Sequence, residues 1–267
     1  MSNASKSTLV VVGGGNMGAA LVGGLLAAST VDTSRLSIVE VIEARRQQLR
    51  TMFPAVNVTG DIPECEAVVI AVKPLDVPAV VARAVACGAT RVLSIAAGVT
   101  IATLEAAAGD HVAVVRAMPN TPAMVRQGAS AIAAGTRASE VDMEWAGSIL
   151  GAVGTVLRVA ETHLDAVTGL AGSGPAYLFL VAEALIDAGV AAGLSRDVAD
   201  ALVRQLLTGS AALLAGGEQP ADLRARVTSP GGTTAAGIAV LEGHAVRTAF
   251  IDAVRAATER GRELGRS

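Results

Sequence analysis

Residues 9–26, "LVVVGGGNMGAALVGGLL", constrain the fold more than any other stretch of this 267-residue chain. An apolar run of strand type, Thr8–Val12, passes directly into Gly13-x-Gly15-x-x-Gly18 and then into an Ala- and Leu-rich helical pattern over Met17–Ala28. In such a motif the first glycine permits a tight turn, the second lets a pyrophosphate approach the backbone, and the third packs helix on strand. The helix start bares amide N–H groups at the positive end of its dipole, which suits an anion. The plain alternative is a glycine-rich turn without a ligand. Glu40 lies 22 residues past Gly18, at the end of the next strand-like run, Leu36–Glu40. An acid there accepts hydrogen bonds from ribose hydroxyls and disfavours an added 2′-phosphate. Arg45 and Arg46 follow closely and have the reach to bind such a phosphate; a solvated strand end is the plain reading of all three.

Further apolar runs of strand length, Ala67–Val72, Arg91–Ala96, Val112–Ala117 and Thr155–Val159, alternate with helical patterns. Ser139 and Asp142 have the spacing of a capping box that opens a helix toward Leu150. Strands alternating with helices imply an α/β unit with a parallel sheet covered on both faces. After about residue 160 strand signals stop. Pro175–Ala192, Asp197–Ala215 and Thr233–Leu264 read as long helices, the third broken near Gly243–His244. The expected organisation is a Rossmann-like nucleotide-binding domain over residues 8–160 and an all-helical domain over residues 161–267. Residues 1–7 are polar and stand outside this reading.

With 52% hydrophobic but only 2% aromatic residues, the core must be built from Ala, Val, Leu and Ile. A net charge of −3 without a basic block argues against nucleic acid as a partner. Ser7 to Val31 carries no charge over 25 residues, the length of a membrane span, but six glycines and Asn16 divide it into strand, turn and helix. No membrane partner is expected. Cys65 and Cys87 lack metal-ligand spacing and read as reduced, small apolar residues of a cytoplasmic protein. His111, His163 and His244 read as structural or surface residues, and no metal site is expected.

Three strand ends in succession, "AVKP" (Ala71–Pro74), "SIAAGVT" (Ser94–Thr100) and "RAMPNTPA" (Arg116–Ala123), fall where an α/β sheet forms its ligand crevice. "TGLAGSGPAY", Thr168–Tyr177, is a small-residue elbow that opens the first long helix and would let a flat ring approach the backbone. In "RVTSPGGTTAAGIAVLE", Arg226–Glu242, four hydroxyls and two glycines crowd the start of the last long helical pattern. One Ser or Thr suffices for a cap. The excess marks a second anion site.

In order and spacing these motifs resemble the pyrroline-5-carboxylate reductase family, over essentially the whole chain from Thr8; the Thr-Ser-Pro-Gly-Gly-Thr-Thr motif within Arg226–Glu242 is the most specific. The resemblance implies a dimerisation role for the helical domain, interlocked between two subunits, with a larger oligomer built from dimers left open. It implies reduction of the imine of 1-pyrroline-5-carboxylate by NADPH or NADH, the last step of proline biosynthesis. Cofactor contacts carried over by position fall on Gly13, Gly15, Asn16, Met17, Gly18, Val72, Lys73, Pro74, Ala96, Gly98 and Asn120, beside Glu40. Substrate contacts fall on Glu161, Ser229, Gly231, Gly232, Thr233 and Thr234, with Thr168 and Thr234 nearest the chemistry. Ala171 stands where many members have Ser, and Arg226 where some have Asn. Two other readings remain: a different two-domain Rossmann dehydrogenase, or a non-catalytic NAD(P)-sensing module. The absence of Lys between Pro175 and Gly217 argues against dehydrogenases that use a lysine on an early helix of the second domain.

Overall fold

A computed structural model of the chain describes residues 7–265. Eight strands form one sheet: β1 (Ser7–Val12), β2 (Leu36–Val39), β3 (Asn57–Thr59), β4 (Cys65–Ile70), β5 (Arg91–Ser94), β6 (Ala113–Met118), β7 (Gly128–Ala134) and β8 (Gly154–Arg158). Their order is β3-β2-β1-β4-β5-β6-β7-β8. The chain therefore winds outward from β1 in both directions, and the reversal between β1 and β4 makes a topological switch point. All pairings are parallel except β6 with β7, which is antiparallel, so the expected parallel sheet is present with one reversed strand pair. β3 and β7 were not expected as strands, and residue 7 belongs to β1.

Helices interleave with the strands as α1 (Asn16–Ala27), α2 (Glu43–Met52), α3 (Val77–Ala86), α4 (Ile101–Ala108) and α5 (Glu140–Gly151). Alternate residues of a strand point to opposite faces. Leu9 and Val11 accordingly enter one core cluster with Leu21, Leu25, Leu49, Ile149 and Leu150. Val10 and Val12 enter a second, with Val77, Val81 and Leu104. Trp145, half-buried on α5, packs against the first. The capping box at α5 is complete: the Ser139 side chain accepts from the Asp142 amide, and Asp142 accepts from the Ser139 amide and hydroxyl. Burial opposes ionisation of Asp142, but the Ser139 hydrogen bonds and Arg91, 2.7 Å away, hold its carboxyl below the ordinary value.

After β8 come α6 (Leu164–Val167), a wide π-helical turn over Thr168–Gly172, α7 (Gly174–Ala191), α8 (Arg196–Ala215), α9 (Pro220–Arg226), α10 (Thr233–Gly243) and α11 (Val246–Leu264). The expected break at Gly243–His244 separates α10 from α11; α9 was not expected. One compact unit runs to Ser173 and takes in the chain again from Ala256; the second is Gly174–Arg255. The second is all-helical, and α7 packs on α8 within it. Residues 161–191 and 196–215 are long and apolar enough to cross a membrane by length and composition alone. Cys65 is buried and Cys87 half-buried, and neither stands in a disulfide. The three histidines are exposed.

Candidate active site

The glycine loop is built as its sequence requires. Gly13 has φ +108°, and a Cβ there would strike the Ala71 carbonyl where β1 meets the end of β4. A Cβ on Gly18 would strike the Gly13 carbonyl, so α1 cannot sit on its turn without that glycine. Gly15 differs. It is exposed, with open space where a Cβ would go. It is also the N-cap of α1, where no side chain meets the first amides. Those amides are free for an anion.

Below the loop, at the carboxyl ends of β1, β4, β5 and β6, lies a cleft of about 350 Å3. Met17, Val72, Pro74, Ala96 and Asn120 line it, as do Ile95, Met118 and Gly172. Lys73 and Gly98 lie outside the lining. Lys73 is exposed, while Gly98, at φ +78°, packs against Leu264 at the end of α11. Asn120 is buried, with its amide engaged at both ends: Nδ2 donates to the Ala171 carbonyl at 3.1 Å, and Oδ1 accepts from the Ala129 amide at 2.9 Å. It lines the cleft and pins the π-helical turn. A larger groove of about 580 Å3 opens at the opposite strand ends, beside Thr8, Glu66 and Trp145, away from the loop.

Just past the end of β2 the Glu40 carboxylate accepts from the Gly14 amide at 3.1 Å and the Ile42 amide at 3.0 Å. Neither neighbouring guanidinium is free. Arg45 Nε donates to the Gly14 carbonyl at 2.7 Å. Arg46 donates to the carbonyls of Glu40 and Val41 at 2.7 and 2.9 Å and is paired with Glu43. Arg46 and Arg50 hold the Glu43 carboxyl below its ordinary value.

Thr168 opens the π-helical turn, a feature concentrated at functional sites. Its hydroxyl donates to the Leu164 carbonyl at 2.9 Å, which leaves its oxygen to accept. Glu161 accepts from Arg116 at 2.9 Å and from the Ile101 amide at 2.7 Å, both through Oε1. In the second unit, Ser229, Gly231, Gly232, Thr233 and Thr234 share one turn. Gly231 takes φ +68°, the Gly232 amide donates to the Ser229 carbonyl, and Gly232 is an N-cap without a side-chain partner. The crowded hydroxyls thus leave the start of α10 uncapped. Sequence reasoning missed Arg116, Asp165 and the Glu218–Arg226 pair at 2.7 Å. The available signal for Arg116 was a lone charge inside the apolar strand "AVVRAM".

A glycine loop over a cleft at a sheet's switch point, followed by an all-helical unit, defines a two-domain nicotinamide-nucleotide oxidoreductase. Residues 161–264 match the family model described as pyrroline-5-carboxylate reductase dimerisation, and residues 8–98 that of NADP oxidoreductase, coenzyme F420-dependent. The chain is 44% identical to the pyrroline-5-carboxylate reductase of Synechocystis sp., over 97% of this chain and 98% of that one. It is 40% identical to that of Corynebacterium melassecola, over 97% and 99%. The Coxiella burnetii enzyme's structure superposes with a TM-score of 0.90 at 36% identity, over 98% of this chain and 100% of that one. The Plasmodium falciparum structure, with NADP bound, does so with a TM-score of 0.83 at 30% identity, over 99% of each chain. The chain belongs to the pyrroline-5-carboxylate reductase family.

Proposed function

We propose that this chain reduces 1-pyrroline-5-carboxylate to L-proline with NADPH or NADH, the last step of proline biosynthesis in the cytoplasm. The observation that carries the reading is the uncapped α10 start, in a chain whose other unit holds an open glycine loop. Each is a place for an anion: the substrate carboxylate at one, the pyrophosphate at the other. Residues 8–160 serve the cofactor, through the glycine loop, Glu40, Val72, Lys73, Pro74, Ala96, Gly98 and Asn120. Residues 161–267 serve substrate and dimer, through Glu161, Thr168, Ser229 and Gly231–Thr234.

The reduced nicotinamide supplies the hydride when bound. The substrate's own iminium nitrogen takes up the electron pair of the C=N bond, so no protein nucleophile is needed. The protein holds the two reactants in line. Because the Thr168 hydroxyl proton is directed to Leu164, its oxygen suits the N–H of a protonated imine. The engaged Arg45 and Arg46 favour Glu40 as the reader of the ribose and support NADH as at least a comparable donor. Two chains pair through the exposed helices, with larger assemblies built from such dimers, and each site takes its α10 turn from the partner.

The test is oxidation of reduced cofactor by purified chain with pyrroline-5-carboxylate; no turnover overturns the assignment. Thr234→Ala should cost about 1.5–3 kcal/mol in kcat/KM for the imine and leave reduced-cofactor binding unchanged. A preference for NADPH above about tenfold, ~1.4 kcal/mol, would remove Glu40 as the specificity residue.

A further inference from the structure

Arg116 is 6% exposed in the middle of the sheet, on a strand otherwise built of apolar side chains. A buried ion pair stabilises little, because desolvation offsets most of its attraction. What this one does is geometric. Arg116 Nη1 donates to Glu161 at 2.9 Å, and Nη2 lies 3.6 Å from Asp165. The same Glu161 oxygen accepts from the Ile101 amide at 2.7 Å, the first amide of α4. Arg116 and the Glu161 carboxylate it holds thus join three segments, and each continues into a wall of the cleft. β6 runs on to Met118; the loop ahead of α4 holds Ala96; α6 leads through the π-helical turn to Gly172.

The geometry points to Arg116 as a positioning residue for hydride transfer: it sets the spacing of the three walls against which the nicotinamide ring lies. This rests on the reading that the cleft holds that ring. The small apolar cluster of Ile101, Ala131, Ala133 and Leu164 binds two of these segments, α4 and α6, to β7. It supplies cohesion without direction, whereas the guanidinium fixes both distance and angle. Lysine in its place keeps the charge and loses the fork.

Arg116→Lys therefore tests the proposal, assayed with reduced cofactor carrying hydrogen or deuterium at the transferred position. The expected result is a folded protein that binds reduced cofactor as the unaltered chain does. Its kcat should fall about tenfold or more, since sub-ångström misplacement of reactants is costly, and its deuterium isotope effect on kcat should rise. A lowered Tm with unaltered kcat per folded molecule and an unaltered isotope effect overturns the proposal in favour of a purely structural role. Should Arg116→Lys fail to fold, Asp165→Asn decides. It removes the second anchor of the guanidinium and should lower kcat about two- to fivefold with the same rise in isotope effect; unaltered kinetics there overturn the proposal. An unaltered chain that does not bind reduced cofactor instead overturns the reading of the cleft, and this proposal with it.

Discussion

The two units of the molecule are similarly apolar and use that character in opposite ways. In the sheet unit, strands and helices close two clusters of fully buried Leu, Val and Ile side chains on the faces of one sheet. In Gly174–Arg255, the buried hydrophobic side chains among the described residues are Ala199 and Val203, while Leu178, Phe179, Leu180, Leu202 and Leu206 are each more than half exposed. Apolar content therefore says how much core a chain can build and not where that core closes. One unit finishes its interior alone. The other presents half of one, and large exposed apolar patches mark interfaces.

The strongest way to break this contrast is to charge the helical surface. Leu180→Asp combined with Leu206→Asp should abolish dimerisation and turnover, because each carboxylate desolvated in an interface costs several kcal/mol. Light scattering of the purified variant checks it, and an active dimer would mean that these side chains face solvent.

The sheet unit should respond to crowding instead. Gly18→Ala should destabilise it by about 1–3 kcal/mol through overpacking against the turn, read as a fall in Tm. Gly15→Ala, with open space around it, should leave Tm unchanged while weakening reduced-cofactor binding. Equal Tm losses would mean that both glycines serve only the fold.

A milder effect concerns the cap of α5. Asp142 ionises more readily in the folded chain than in the unfolded one. Its contribution is therefore fully present above the ordinary carboxylate value, about pH 4, and is lost as pH falls through the lower folded value. Ser139→Ala should cost about 1 kcal/mol at neutral pH and flatten the acid loss, both measurable by denaturant unfolding. An acid limb as steep as before would place the sensitivity elsewhere.

The finest probe of the contrast is alanine at helical glycines. Gly147 in α5, Gly209 in α8 and Gly237 in α10 all have open space where a Cβ would stand. Gly147→Ala should stabilise by about 0.5–1 kcal/mol from helix propensity alone. Gly209→Ala and Gly237→Ala should gain as much only if no partner helix closes there. A loss in thermal unfolding at either would locate the dimer contact.

The sequence announced the glycine loop, the capping box and the long helices because each rests on local chemistry. The strand "GASAIAA" of β7 escaped notice because alanine favours helix, and only its pairing with β6 and β8 makes it a strand. β3, three residues long at the sheet's edge, has too short a pattern to show. The expected ends of two strands ran too far, since Ala71–Val72 and Ile95–Ala96 are apolar as lining of the cleft, not as strand. Met17, Val72, Pro74, Ala96 and Asn120, which line the cleft, were legible one by one as parts of motifs. The joining of Arg116, Glu161 and Asp165 was not, because their separation along the chain carries no local periodicity.

Trp145, the chain's one tryptophan, sits in the unit that completes its own core, while the one tyrosine, Tyr177, lies on α7 in the other. The molecule thus carries a separate optical reporter in each half. Indole emission will follow loss of the sheet unit, while phenol absorbance follows the helices. Reduced nicotinamide absorbs where indole emits, so the same tryptophan can signal the arrival of cofactor by losing its own light.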